Sequence, residues 1–393
     1  MMSFPASRIR SAIPTVRLYD SFAEAEPVWR WLEALPANVL TPYQRFDLLH
    51  AWQRHVGARK GLTPLIAVGF DAADTPVCLL PLGRRTIGAT QQAEFLGGKH
   101  ANFNSAIWRR DVAERISADD VQAFLQQLAL AADALILLNQ PRQWDGLANP
   151  LALLPHSPSS DPAYYGTLTP DFDALLAARM SANKRKKLRN RVRALEQHGA
   201  VVFRKARTAA EVSAILTAFH DQKAQRMQEL GVDNVFAEPG VADFIAEAAC
   251  HAIDTAPVIE AYALFAGERI AATSAGVVAN GRFSTMFNSI ARDELAQASP
   301  GQLLLTRLVE NACARGLHIF DLGVGEAHYK ELFCNEPQPL FDSFLPLSAA
   351  GRMIAAAHRA AYAAKRTIKR TPILWSAVQT TRRWRSQSGN PKA

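Results

Sequence analysis

"ASPGQLLLTRLVENACARGLHIFDLGVGEAHYK", Ala298 to Lys330, decides how the chain is read. Leu304, Leu308 and Ala312 recur at helical spacing, and Gly316 after Arg315 supplies a helix-ending glycine. "HIFDLG" then reads as a buried strand running into a glycine-rich turn. Ends of strands in α/β sheets are where ligands collect. Asp321, Glu326, Tyr329 and Lys330, set around Gly323 and Gly325, are therefore candidate site residues. The helix start is the second signal. Ser299 suits an N-cap, Pro300 the first turn, and Gln302 the capping-box position. Gly301 leaves the first backbone N–H groups bare, an arrangement that attracts phosphate. The dipole contributes only about 0.3–1 kcal/mol, enough to orient a pyrophosphate but not to hold it.

Working outward, "VIEAYALFAGERIAATSAGVVANGRFSTMFNSI" before this helix reads as three antiparallel strands turning at Gly267 and at Asn280-Gly281. The first half of the chain has the same grammar. "TPLIAVGF" and "PVCLLPLGRR" form a hairpin, and a helix with Val121, Leu125 and Leu128 on one face leads to the apolar run "ALILL". Its helix start, "ISADDVQAF", is capped by acids that repel phosphate, so an anion site belongs to the second half. "LPHSPSSDPAYYGTLTPDF" between the halves is the candidate linker. One helix is expected from Asp171 to about His198. The domains read as 15–160, 170–348 and a basic tail, 349–393.

Bulk properties narrow the field. Two domains fit 393 residues, and 49% hydrophobic with 20% charged residues describes a globular protein. A net charge of +8 favours an anionic partner. No run of ~18 apolar residues predicts a spanning helix, and the first twenty residues lack the apolar core of a signal peptide. Cys78, Cys250, Cys313 and Cys334 are too scattered for a disulfide framework, which points to the cytoplasm. The sequence contains no HExxH, GxSxG, P-loop or GxGxxG pattern. No metal is expected.

Six stretches then occur in a familiar order: "TPYQRFDLLHAWQRHVG", "LLPLGRR", "FLGGKHANFNS", "NKRKKLRNRVRALEQHG", "SPGQLLL" and "FDLGVGEAHYK". In this the chain resembles the CelD/BcsL-type, BioF2-like acetyltransferases, relatives of the Fem transferases within the GNAT superfamily, over roughly Thr41 to Leu347. The resemblance implies an α/β (α+β) fold of two tandem GNAT-like (acyl-CoA N-acyltransferase) lobes, each a mixed sheet flanked by helices. It implies acetyl-CoA or another acyl-CoA as co-substrate, its pyrophosphate on Ser299, Pro300, Gly301 and Gln302. The strand Phe283–Ser289, with Asn288, would face the donor, and one of its N–H groups would polarise the thioester carbonyl. An acceptor amine on a sugar, polysaccharide precursor or small metabolite would attack directly. Tyr329 would protonate the leaving thiolate, Lys330 would stabilise charge, and Asp321 or Glu326 would take the amine proton. Gly323 and Gly325 would let backbone approach the substrate.

Other features carry less. His100 and Asn104 in "FLGGKHANFNS" are candidate acceptor contacts. The seven cations of "KRKKLRNRVR" lack interleaved aromatics, so a solvated helix face is favoured over a nucleic-acid platform. The basic C-terminal stretch is read as a docking helix, with contact to the inner membrane face as the alternative. Two rival functions stand beside the acyltransferase: a Fem-like transferase using aminoacyl-tRNA, and a non-catalytic exopolysaccharide assembly factor.

Overall fold

The computed structural model describes residues 11–325 and 328–371, apart from the side chains of His328 and Tyr329. In the first lobe, β1 (Thr15–Tyr19) is followed by α1 (Phe22–Ala34) and α2 (Phe46–Trp52). Then come β2 (Thr63–Phe70), β3 (Pro76–Ile87), β4 (Thr90–Phe95), α3 (Ala118–Gln126) and β5 (Ala134–Pro141). The chain crosses over as β6 (Ala163–Thr167), α4 (Phe172–Arg179) and α5 (Ala182–Glu196). The second lobe continues with β7 (Val201–Lys205), α6 (Ala209–Leu230), α7 (Val241–Cys250) and the meander β8 (Glu260–Ala266), β9 (Arg269–Ala279) and β10 (Arg282–Ile290). Last are α8 (Pro300–Ala314), β11 (Ile319–Val324), β12 (Glu336–Gln338), β13 (Leu340–Pro346) and α9 (Ala349–Arg370).

Both sheets realise the repeated grammar. Each has an antiparallel meander, then a helix, then a strand parallel to the meander's last member. In the first sheet Gln92–Glu94 of β4 pair in parallel with Ala134–Ile136 of β5. In the second, Arg282–Ser284 of β10 pair in parallel with Ile319–Asp321 of β11. Each pairing lasts three residues.

The lobes are not successive pieces of sequence. β6, from the expected linker, joins the second sheet beside β11. β13, inside the stretch assigned to the second domain, pairs antiparallel with β5 in the first sheet. Neither AYYGT nor LFDSFLP alternates apolar and polar residues, and nothing local states which sheet they complete. The helix expected over 171–198 is two helices. Met180 is extended and buried, and the Ser181 side chain accepts from Lys184 N–H to start α5 afresh. The C-terminal α9 docks on β13 and β5. Ser348 caps it while donating to Asp133 at 2.5 Å, and Gly351 lets its backbone approach Asp133 so closely that a Cβ would lie 1.8 Å from the carbonyl oxygen. The tail after Thr371, with Trp375 and Trp384, lies outside the described residues.

One apolar core runs from Trp29, Trp52 and Phe103 in the first lobe into Phe219, Phe244 and Phe287 on the α6–α7 face of the second sheet. A second core, with Leu304, Leu308, Phe283 and Phe320, fills the opposite face beneath α4, α5 and α8. The lobes are thus joined by burial of large aromatics, each fully buried ring being worth about 1.5–3 kcal/mol.

Candidate functional site

Beyond Ser284 and Asp321 the parallel strands β10 and β11 stop pairing, although β10 runs on to Ile290 and β11 to Val324. Asp321 holds the vertex of this split. Fully buried, it accepts from the Ser284 hydroxyl at 2.5 Å and from Gly323 N–H at 3.1 Å, with Arg282 Nε 3.3 Å away. Burial raises its pKa, and the Arg282 charge opposes that. The Arg282 guanidinium in turn lies over Trp144 of the first lobe, 3.9 Å from the ring centroid.

Two cavities open past the vertex. The larger, about 500 Å³, passes between α6 on one face of the sheet and α8 on the other. It is bordered by Asn288–Ile290 of β10, Leu322 of β11, Ser299, Gly301, Gln302 and Leu304 at the start of α8, and Lys223 and Arg226 of α6. The smaller, about 260 Å³, is bordered by Asn102, Phe236, Thr285, Met286, Gly325 and Lys330. Lys223, Asn288 and Leu322 border both, so the two cavities meet there.

The strand between them is irregular. Ala275 opposes Phe287 while Gly276 opposes Thr285, which leaves Met286 as the extra residue of a β-bulge. The Thr285 carbonyl is held from the first lobe: Asn102 Nδ2 donates to it at 2.9 Å and to the Tyr43 hydroxyl at 2.8 Å. The Thr285 hydroxyl is buried and has no partner among the described residues. Gly323 has φ +67°, and the Asn102 amide lies 2.4 Å from where its Cβ would stand, so only glycine fits there.

Lys330 is 5% exposed and donates to Gly323 O at 3.0 Å and Val324 O at 3.1 Å, closing the end of β11. Burial pulls its pKa from the ordinary lysine value to about 8. Burial also lowers Lys223, which the charge of Arg226 pushes further in the same direction.

The start of α8 differs in detail from the expectation. Ser299 occupies the N-cap position but with φ +53°, and its side chain makes no capping bond. Gln302 does not complete a capping box; its side-chain oxygen accepts from Arg191 of α5. Pro300 is buried and borders neither cavity, whereas Ser299, Gly301, Gln302 and Asn288 all border the larger one. The uncapped end leaves the Gly301 N–H without an acceptor among the described residues.

The remaining candidates fall in different places. Lys330 and Gly325 border the smaller cavity, and Gly323 lies behind Asn102. Asp321 borders neither cavity. Glu326 lies outside the described residues, as does the side chain of Tyr329, whose backbone belongs to the short helix His328–Leu332. His100 is buried, accepting from Trp52 Nε1 at 3.1 Å and facing Val235 O at 3.3 Å, a pattern that fits the neutral ring. Asn104 is buried in the first lobe, donating to Leu138 O at 3.1 Å. Neither borders the cavities. Sequence reasoning passed over Asn102, two residues from each of them, and Lys223, a helix lysine with no motif around it. Among the described residues no group of His, Cys, Asp and Glu is placed to hold a metal, and no helix is long and apolar enough to cross a membrane.

A family model described as an acetyltransferase (GNAT) domain matches residues 182–331, from α5 to the end of the site. Among solved structures the chain resembles FemX, with TM-score 0.55 and 9% identity over 87% of this chain and 100% of that one. It resembles the C-terminal domain (DUF2156) of a putative lysylphosphatidylglycerol synthetase from Agrobacterium fabrum, with TM-score 0.51 and 11% identity over 86% and 96%. A conserved protein of unknown function from Bacteroides thetaiotaomicron VPI-5482 gives TM-score 0.51 and 9% identity over 84% and 100%. At these identities the likeness concerns the fold. No curated protein sequence matches the chain. The architecture is α/β: two lobes in tandem, each a mixed sheet flanked by helices with the same order of elements, and the match to the GNAT acetyltransferase domain lies in the second.

Proposed function

We propose that the protein is an acyl-CoA-dependent N-acyltransferase of the CelD/BcsL kind, acting on an amine of a sugar, polysaccharide precursor or small metabolite. The observation that carries this reading is the open split between β10 and β11, which leads to the uncapped Pro-Gly start of α8. The pyrophosphate sits against Gly301 N–H with Ser299, Gln302 and Arg226 around it, and the pantetheine arm lies in the split beside Asn288. The thioester arrives where the cavities meet, next to the bulge at Met286, whose strand carries the N–H that polarises its carbonyl. Fixed donors at a developing oxyanion are worth about 2.7–4 kcal/mol each.

The acceptor enters through the smaller cavity. Its nitrogen, attacking as the neutral amine, forms the new C–N bond as the C–S bond breaks. The proton it sheds passes to Glu326, directly or through water, and the thiolate takes a proton, for which Tyr329 is the candidate acid. Lys330 supplies positive charge at the end of β11. Asp321, sealed at the vertex, is the clamp of the split rather than the group that takes the amine proton.

Calorimetric titration with CoA and acetyl-CoA tests the reading, alongside a Ser299→Asp variant. Gly301 is a poor place for the test, because a Cβ there would lie 2.8 Å from Ile290 Cγ2 and disturb packing as well as charge. Aspartate tolerates the left-handed conformation of Ser299, suits an N-cap, and brings a carboxylate to the phosphate position. Micromolar binding weakened at least tenfold in the variant supports the donor site. No binding by the wild type sinks it.

A Fem-like transferase drawing on aminoacyl-tRNA is the second reading. It is favoured by α5, whose seven cations between Lys184 and Arg193 have no carboxylate partner among the described residues. Failure to bind CoA would put it, and a scaffold role without chemistry, in front.

A further inference from the structure

The smaller cavity has an uneven charge balance. Its described lining holds two lysines, Lys223 and Lys330, the Asn102 amide and the unpartnered Thr285 hydroxyl, but no carboxylate. The two lysines are not equivalent. Lys330 spends two of its three donors on the Gly323 and Val324 carbonyls, so its place is fixed by the chain itself. Lys223 makes no hydrogen bond or ion pair within the described residues. Its Nζ lies 5.4 Å from the centroid of Phe236, a ring that walls the same cavity. A half-buried ammonium without an anion is costly to keep and is satisfied most simply by one that a ligand brings.

The donor already has other cations. Arg226, one turn further along α6, and Arg292 border the larger cavity and not the smaller one, on the same lining as Ser299 and Gly301, and both also pair with Glu229. Lys223 alone of the α6 cations reaches the smaller cavity.

We propose that Lys223 pairs with an anionic group of the acceptor, so that the substrate is an amine that also bears a carboxylate or a phosphate. This rests on the acyltransferase reading for the identity of the two cavities. Lys223 is here a specificity-determining residue: it selects and orients the acceptor, with the amine held toward the junction at Asn288 and the anion toward α6. A purely cationic amine would meet two like charges and be disfavoured.

The test uses the full-length protein saturated with CoA, titrated calorimetrically with matched amines. Alanine against alaninamide tests the carboxylate, and glucosamine 6-phosphate against glucosamine tests the phosphate. In one pair the member bearing the carboxylate or phosphate is expected to bind at least tenfold more tightly than the partner lacking it. In Lys223→Met that preference should fall below threefold while the Kd for CoA stays within twofold, which also shows the variant is folded; Lys223→Arg should keep it. Members lacking the anionic group that bind as well as those bearing it overturn the proposal. So does the absence of any Lys223-dependent anion binding, or a tenfold loss of CoA affinity in Lys223→Met, which would assign the ammonium to the donor. If the wild type does not bind CoA, the donor reading fails separately, and the same pairs titrated into the free protein still decide the role of Lys223.

Discussion

The two lobes contain the same element twice and use it differently. In each, two parallel strands pair for three residues and then part. In the first lobe the gap past β4 is filled by the loop that follows it: Asn104 N–H donates to Asn139 O at 3.0 Å and its side chain to Leu138 O, with Phe103 fully buried alongside. The helix that follows is closed as well, by a capping box of Ser117 and Asp120. In the second lobe the gap stays open, and the helix beyond it starts uncapped at Ser299. Sheet splitting alone therefore does not make a site. What differs is whether the chain's own groups complete the hydrogen bonding there or leave it open, as the proposed donor site requires.

That contrast breaks most sharply at Lys330. Lys330→Met should lower kcat/KM at least 100-fold, read by thiol release from acetyl-CoA, with CoA affinity retained. A loss under threefold would make the open split as inert as the closed one. The charge itself is tested by pH. Because burial holds this lysine at about 8, its positive charge is lost as pH rises through that value. Activity should fall on the alkaline side, and Lys330→Arg, always charged, should remove that limb of the profile. A rise through pH 8 would instead make the neutral amine the working form.

Asn102 joins the two regions, and its removal should have a middling effect. Asn102→Ala deletes bonds to the Thr285 carbonyl and the Tyr43 hydroxyl, so about a tenfold loss of kcat/KM and about 1–2 kcal/mol of stability in urea are expected. Unchanged activity would mean that the bulge keeps its shape without the first lobe. The smallest functional effect belongs to the plug. Asn104→Ala should cost about 1 kcal/mol of stability yet leave CoA affinity and turnover within twofold, and titration should give one CoA per chain. A second equivalent of CoA would erase the distinction between the lobes.

Much of this contrast was legible beforehand. The acids of "ISADDVQAF" and the bare "SPGQ" sit in sequence next to the helices they begin, so local rules reach them. Lys330 and Gly325 follow, and Gly323 lies near the end of, a strand that apolar patterning identifies. The rest depends on distance in the chain. Asn102 matters because it meets Thr285 and Gly323, and His100 and Asn104 in the same loop point elsewhere; neighbours in sequence say nothing about that. Lys223 looks like any solvated helix lysine until the sheet splits beneath it. Gln302 had the right spacing for a capping box but found Arg191 from another helix. Met180 and Ser181 interrupt a stretch whose composition favours an unbroken helix.

The exchange of β6 and β13 between the sheets has a consequence during synthesis. β5 must wait for its partner β13, which the ribosome delivers about 200 residues later, roughly 10–40 s at ordinary elongation rates. Over that interval the nascent first lobe presents an apolar strand edge, Ala134 to Pro141, the kind of template that pairs with other chains. The protein is thus committed to folding late and as a whole. Expressing either half by itself should yield aggregates, and a chaperone that shields strand edges should raise the yield of the complete chain.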